Sequence, residues 1–410
     1  MLRNFVGDAD AVADRIHRSL LSDNPDCARL RRTLQRAYHV NAGEAREVLR
    51  IVVRELNAAL FPPITKLELV LTEACNLACA YCFETAMHSP RRMTVAVGRA
   101  AIDLLLEYSR EERDLEVVLF GGEPTLAFLT ILDIVRHAER AAAKAGKRIA
   151  FNLTTNGVLL TPNMVEDFAA HGIKVLVSID GLQSTHDRHR VDRRGRGTFD
   201  RALAGLMLLK TVQPWVGVKM TVSPDAVSTL YDDVLGLHAL GVNQFLIGGA
   251  TGVPWSEDAM RAYADASARL YRWYKSKPRR DVRISEFDKM AGEPEHAYFG
   301  CQAGRDSIAV SVTGEISPCS KMLALDNRQP IARLGDISTG ITQVAERVRL
   351  LHCKELRAEC ERRGIAQDYR GGCFASNYTD NGGLFDPSLQ DHRLGVMQRA
   401  ACLASGRALQ

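Results

Sequence analysis

Six short apolar runs alternate with longer helical segments between residues 66 and 249, and this alternation restricts the fold more than any other feature of the sequence. The runs are KLELVL (66–71), EVVLF (116–120), RIAFNLT (148–154), KVLVSI (174–179), VGVKMTV (216–222) and QFLIGG (244–249). Strands separated by helices pair in parallel through right-handed crossovers, so the chain must form an α/β sheet, either open and doubly wound or curled into a partial barrel. In such sheets ligands bind at the carboxyl ends of the strands. The segments that follow the first four runs are TEACNLACAYCFE, GGEP, TNG and DGLQSTHDRHR. All four are expected to meet at one end of one sheet.

Upstream, helical periodicity in AVADRIHRSLL and AREVLRIVVRELNAALF, closed by Pro62 and Pro63, predicts a helical cap over 1–65. The β/α pattern occupies 66–284. From about 285 the chain becomes turn-rich and cysteine-bearing, which predicts a further domain over 285–410.

Composition narrows the class of function. With 53 basic and 49 acidic side chains the net charge is +4, too balanced for a chain held by the electrostatics of nucleic acid or anionic lipid. Arginine outnumbers lysine 42 to 11 along the whole chain, so the basic stretch HDRHRVDRRGRGTFD (186–200) reads as loop structure mixed with ligand contact rather than as an RNA site. The start, MLRNFVGDADAV, has no signal-peptide core and no stretch reaches the length of a membrane span, so a cytoplasmic protein is expected. Ten cysteines there point to metal or redox work and not to a disulfide framework. Cys27 reads as packing, and Cys402 as no ligand.

Cys75-x3-Cys79-x2-Cys82 follows the first run, a spacing that lets three thiolates converge from one loop. Three thiolates on a four-iron cluster leave one iron open, whereas structural zinc asks for four protein ligands and the nearest fourth candidate is His88. With Tyr81 before the last cysteine and Gly121-Gly122-Glu123-Pro124 after the second run, the chain resembles the radical S-adenosylmethionine (SAM) superfamily. The resemblance implies a partial (β/α)6 TIM-like barrel and a [4Fe-4S] cluster on Cys75, Cys79 and Cys82. The open iron would chelate the amino and carboxylate groups of S-adenosylmethionine (AdoMet), whose reductive cleavage gives a 5′-deoxyadenosyl radical that abstracts a substrate hydrogen. By the same resemblance, the glycine-rich loop with Glu123 receives the methionyl ammonium, and Tyr81 and Pro124 belong to the cofactor site. Asn156, Ser178, Asp180 and Arg190 stand in places that resemble its ribose- and carboxylate-contacting region.

A second group, Cys301-x12-Gly314-x4-Cys319 with Cys360 and Cys373 further on, resembles the SPASM extension, an auxiliary-cluster domain of radical enzymes that act on peptides or protein side chains. Arg363, Tyr369 and the Asp391-His392 region stand where that family's outer cluster has cysteines. Cys301, Cys319 and Cys373 match ligands of the inner cluster, and Cys353 or Cys360 could supply a fourth. The resemblance therefore implies one auxiliary [4Fe-4S] cluster, with zinc or buried thiols as the plainer alternatives.

The expected function is hydrogen abstraction from a side-chain or backbone carbon of a ribosomally synthesised precursor peptide, installing a cross-link or similar modification. The expected partners are that peptide and an electron donor such as flavodoxin or ferredoxin, with no nucleic acid and no membrane. An alternative is a formylglycine-generating enzyme of the anaerobic sulfatase-maturating type, which typically carries an aspartate where this chain has Ser320. An alternative of another class is a non-enzymatic cysteine-rich module that senses redox state or binds RNA. No side chain is singled out as catalytic.

Overall fold

The alternation of strand and helix builds one open sheet in which the first seven strands run parallel. The computed structural model describes residues 9–21, 25–41, 44–60, 62–84, 89–278, 280–290, 301–325, 329–367, 369 and 372–407. Three helices come first: α1 (Ala9–Leu20), α2 (Pro25–Tyr38) and α3 (Glu44–Leu60). A reciprocal cap fixes the start of α3, because Asn41 Oδ1 accepts from Glu44 N and Glu44 Oε2 accepts from Asn41 N, both at 2.9 Å. Arg46 of α3 bridges Asp14 of α1 at 2.7 Å above a small core of Ala13, Leu49 and Val53.

The repeat then runs β1 (Lys66–Val70), α4 (Val95–Tyr108), β2 (Asp114–Phe120), α5 (Phe128–Lys144), β3 (Arg148–Thr155), α6 (Pro162–Ala170) and β4 (Lys174–Ser178). It continues with α7 (Gln183–His189), α8 (Phe199–Lys210), β5 (Gly217–Val222), α9 (Leu230–Ala239), β6 (Gln244–Gly249), α10 (Glu257–Lys275), the short β7 (Arg283–Ile284) and α11 (Ser285–Met290). The six apolar runs thus become the six main strands.

Beyond α11 the chain returns to the opposite edge of the same sheet. β8 (Ser307–Val310) pairs in parallel with β1, and β9 (Glu315–Ser317), β10 (Gly335–Asp336) and β11 (Gly340–Ile341) follow antiparallel, giving the order β11-β10-β9-β8-β1-β2-β3-β4-β5-β6-β7. The edges are β7 and β11, so the barrel stays open. Helices α12 (Ser320–Leu323), α13 (Val344–His352), α14 (Lys354–Arg362) and α15 (Phe374–Asn381) enclose a second core, and α16 (Leu389–Arg407) returns along α10. There Gln398 Nε2 donates to Tyr263 Oη at 3.2 Å and to Ser267 Oγ at 3.1 Å.

Strand alternation separates a packed face from a lumen. Leu67, Leu69, Val117, Leu119, Leu153, Val175, Val177, Val218 and Phe245 are almost wholly buried in the main core, each contributing about 1.5–3 kcal/mol. The alternate residues Phe120, Thr154, Ser178, Lys219, Thr221, Leu246 and Gly248 face a cavity.

One buried cation ties these parts together. Arg347 of α13 is 4% exposed, and it donates to Gly304 O at 2.8 Å, Arg305 O at 2.8 Å and Pro62 O at 2.9 Å, so a single guanidinium links the end of the cap, the entry to β8 and the second core. Burial pushes its pKa down to about 10. Arg347→Met should lower the unfolding free energy by about 3 kcal/mol, because three carbonyls lose a charged donor. Urea denaturation followed by circular dichroism reads this directly; a change under about 0.5 kcal/mol would mean that water replaces the guanidinium at no cost.

Candidate functional site

A cavity of about 390 Å³ opens at the carboxyl ends of the parallel strands, and Cys75, Cys79 and Cys82 line it together with Tyr81, Gly121, Gly122, Glu123, Asn156, Ser178 and Arg190. The loop that carries the three cysteines has almost no regular structure of its own. Its backbone is satisfied by neighbours: Ala78 N donates to Val191 O at 2.8 Å, Ala80 N to His189 O at 3.1 Å, and Arg193 Nε to Cys75 O at 3.0 Å. The basic stretch 186–200 therefore wraps the cysteine loop. Its charges are largely paired within the fold, Asp192 with Arg196 and Arg201, and His189 and Arg188 with Asp225.

The glycine-rich loop packs onto the same segment. Gly121 has φ +132°, and a Cβ there would sit 2.4 Å from Thr72 O; at Gly122 it would sit 2.5 Å from Ala74 O. The absence of side chains lets Gly122 N donate to Thr72 O and Glu123 N to Ala74 O, both at 2.9 Å. Glu123 is 1% exposed: its Oε1 accepts from Thr125 N (3.1 Å), Thr125 Oγ1 (2.6 Å) and Thr155 Oγ1 (2.6 Å), and its Oε2 accepts from Asn156 N at 2.7 Å. Burial raises its pKa against these bonds. Oε2 is left with one acceptor position. Pro124 opens the short 3-10 turn Pro124–Ala127, and Asn156 Nδ2 donates to Asn76 Oδ1 at 2.8 Å, binding the TNG turn to the cysteine loop.

Asp180 and Arg190 form a buried fork, Nε to Oδ2 at 2.9 Å and Nη2 to Oδ1 at 3.0 Å. Tyr81 Oη donates to the same Oδ2, and Thr221 N donates to Oδ1 at 2.9 Å. Arg190 thus spends its fork on Asp180 and lies 5.5 Å from the Tyr81 ring centroid. Ser178 sits level with Lys219 in the β4–β5 register. Lys219, Lys321 and Glu84 also line the cavity, although motif reading passed over them. The signal for Lys219 was present, since it is the one charged residue in VGVKMTV. Burial pushes the Glu84 carboxyl up to about 7.

None of the three forms a disulfide, and burial pushes Cys75 up to about 12, with further upward contributions from Glu123, Cys79 and Cys82. Such thiols ionise only beside strong positive charge, which iron supplies. Among the described residues no three His, Cys, Asp or Glu side chains gather tightly enough for a single ion. A four-iron cluster asks for wider spacing, because its thiolates bind separate irons. The residues present fit that group.

Cys301, Cys319 and Cys373 form a second gathering: burial raises the first two, with Cys373 adding to it at Cys301, and Glu68 followed by the other two thiols adding to it at Cys319. Cys353 feels Cys301, whereas the charges around Cys360 are Arg363, Glu359 and Glu361. Where the outer-cluster cysteines would stand, Arg363 Nε binds Glu359 at 2.7 Å and its Nη2 pairs with Asp386, while the fully buried Tyr369 stacks on His392 at 5.6 Å. A hollow of about 540 Å³ on this side is lined by such ion pairs. Cys402 is packed in the main core, and His88 lies outside the described residues.

Residues 69–225 match the family model of the radical SAM superfamily. These residues form a radical SAM domain, and the protein is an enzyme. The domain's cofactors are AdoMet and a [4Fe-4S] cluster. The chain is 26% identical over 326 residues to a serine-type anaerobic sulfatase-maturating enzyme of Klebsiella aerogenes, covering 73% of this chain and 77% of that one. It is 26% identical over 344 residues to the mycofactocin maturase MftC of Mycolicibacterium smegmatis, covering 80% and 82%. In fold it is similar to anSMEcpe with bound AdoMet, with a TM-score of 0.66 at 17% identity over 85% of this chain and 98% of that one. Among the described residues no helix of the enzyme is long and apolar enough to cross a membrane.

His186 gives the site a measurable pH dependence. It is 1% exposed, its Nε2 lies 3.0 Å from Thr198 Oγ1, and burial followed by the Arg190 charge lowers its pKa from 6.5 to about 4. The folded state therefore binds fewer protons than the unfolded state between these values. Stability present above pH 6.5 should be lost as pH falls toward 4, by up to about 3 kcal/mol. Urea midpoints measured across that window should slope downward in the wild type and flatten in His186→Gln; equal slopes would exclude His186 as the cause.

Proposed function

We propose that the enzyme abstracts a hydrogen atom from a side-chain or backbone carbon of a peptide and so installs a cross-link or similar modification in a ribosomally synthesised precursor. The observation that carries this reading is a groove that opens into the cavity beside Cys82 and runs along the C-terminal segment. A groove of about 270 Å³ runs past Ala80–Phe83, Thr251–Val253 and the C-terminal residues Lys321, Leu325 and Ser376, and it shares Phe83, Thr251 and Lys321 with the cavity. A groove continuous with a cavity fits an extended segment better than a compact metabolite.

In this reading Cys75, Cys79 and Cys82 hold the radical-site cluster. Glu123 Oε2 and the Gly121–Gly122 backbone receive the ammonium of AdoMet, and Ser178 faces the same ligand. Arg190 and Asp180 orient Tyr81 and the cysteine loop. When bound, AdoMet on the reduced cluster supplies a hydrogen-abstracting radical. The inward row of β2 to β6 excludes bulk water around the reacting carbon. Cys301, Cys319 and Cys373 hold one auxiliary cluster, with Cys353, whose thiol feels Cys301, as its fourth ligand, and a flavodoxin or ferredoxin delivers the electron.

A second reading, formylglycine formation, gains from one contact. Ser320 occupies the place of an expected aspartate, yet Glu68 Oε2 of β1 accepts from Ser320 N at 2.9 Å, returning a carboxylate to that spot.

The anaerobically reconstituted wild type should hold about eight irons, and the Cys75/Cys79/Cys82→Ala triple variant about four with no 5′-deoxyadenosine formed. Iron near four in the wild type would remove the auxiliary cluster, and near twelve would add a second. Mass spectrometry of the peptide encoded beside the gene should show loss of two hydrogens with no new carbonyl. A hydrazide-reactive aldehyde would select the formylglycine reading instead, and cleavage of AdoMet by the triple variant would overturn the radical reading altogether.

A further inference from the structure

Two ammonium groups face the cavity without a carboxylate partner. Lys219 projects into the cavity from β5 between Val218 and Met220, which are 0% and 1% exposed. It forms no ion pair or hydrogen bond among the described residues, and burial followed by the charge of Lys321 lowers its pKa. Lys321, the second residue of α12, reaches back from the C-terminal segment. Its Nζ donates to Thr251 Oγ1 at 3.2 Å and stands 5.6 Å from the centroid of the Phe83 ring. It too lacks an ion pair among the described residues, and it lines both the cavity and the groove.

The nearby carboxylates do not neutralise this pair. Glu286 Oε2 accepts from Ile247 N at 3.0 Å, Glu68 Oε2 accepts from Ser320 N, and Asp180 is saturated by Arg190, Tyr81 and Thr221. Glu84 lines the same wall at 6% exposure, and its charge and that of Glu68 favour the Lys219 ammonium from a distance, but among the described residues neither forms an ion pair with either lysine. Two like charges drawn from strand and helix toward one cavity repel, and an anion between them relieves that cost.

We propose that Lys219 and Lys321 form a carboxylate-binding site that receives an acidic side chain of the substrate beside Cys75, Cys79 and Cys82. The proposal rests on the peptide reading above, and it defines the substrate as carrying aspartate or glutamate at or next to the modified residue. The methionyl carboxylate of AdoMet has the same chemistry. The position of Lys321 at the junction with the groove favours the substrate as the source, because the groove is where a peptide would arrive.

Reconstituted, unreduced enzyme saturated with AdoMet separates the two sources, using N-acetyl-glutamate methylamide and its glutamine isostere as probes in saturation-transfer NMR. The wild type should favour the acidic probe by about fivefold or more. Lys219→Gln and Lys321→Gln should each abolish that preference while AdoMet affinity, measured by equilibrium dialysis, stays within about twofold. Lys321→Arg, which keeps the charge, should retain it, and circular dichroism identifies any variant that has lost its fold. Equal signals from both probes in the wild type would overturn the proposal. AdoMet binding weakened about tenfold in both glutamine variants, with no preference for the acidic probe, would assign the lysines to the cofactor and overturn it too. Neither binding result depends on turnover, so failure here leaves the radical reading to its own test of AdoMet cleavage and peptide mass.

Discussion

The carboxylate of Asp180 is the contact on which the geometry of the site depends. It is 5% exposed and takes four hydrogen bonds, two from Arg190 in the loop after α7, one from Tyr81 in the cysteine loop and one from Thr221 N on β5. Three separate segments are thereby pinned to the end of β4. A buried carboxylate is costly unless its lone pairs are filled, and removal of one partner from such a pair typically costs about 3–5 kcal/mol. The cysteine loop, with little secondary structure to hold it, takes its shape from these contacts and from the backbone bonds that the 186–200 loop supplies. Asp187 Oδ1 in turn accepts from Thr198 N at 2.7 Å and Phe199 N at 2.8 Å, capping α8 and closing that loop on itself.

This explains what the sequence made legible. Apolar runs such as KVLVSI and QFLIGG are short and bounded by polar or glycine residues, so strand identity and order could be read from them, and the observed strands lie over the same residues. What could not be read was which side of a strand a residue serves. Lys219 and Glu68 interrupt apolar runs, and only the fold shows what each serves: Lys219, level with Ser178 and Leu246, lines the cavity, and Glu68, level with Val118, binds Ser320 N. The glycines of GGEP belong to a loop that by resemblance receives the methionyl ammonium, and the tightest approach they permit is to the Thr72–Ala74 backbone. SIAV at 307–310 is apolar enough for a strand, but it lies in a cysteine-bearing, turn-rich stretch. Its parallel pairing with β1 is a long-range contact that no local pattern encodes.

The C-terminal segment illustrates how protein contacts can stand where metal ligands would. A cluster crosslinks a small region and contributes to its folding. Here the Glu359–Arg363–Asp386 ion pairs join α14 to the turn before α16, and the stacked Tyr369 and His392 fill the space beneath, over a core of Leu350, Leu356 and Phe374. The outer part of the segment is therefore crosslinked without further thiols.

The inner part is built differently, and Cys353 marks the contrast. It joins α13 to α14 at φ +48°, a left-handed conformation that costs a non-glycine residue about 1–2 kcal/mol. Its thiol donates to Leu350 O at 2.8 Å, a bond any small hydroxyl could also make, so packing alone gives cysteine no advantage over serine there and little over glycine. The left-handed turn does hold Cys353 at 2% exposure, close enough to Cys301 for that thiol to disfavour its ionisation. Cys360 occupies an ordinary helical position in α14 and is surrounded by side chains that bind one another. Strain is accepted at Cys353 and avoided at the helical Cys360, although both are buried in the core that the other thiols pack against, so the backbone itself distinguishes the two cysteines that spacing alone left equivalent.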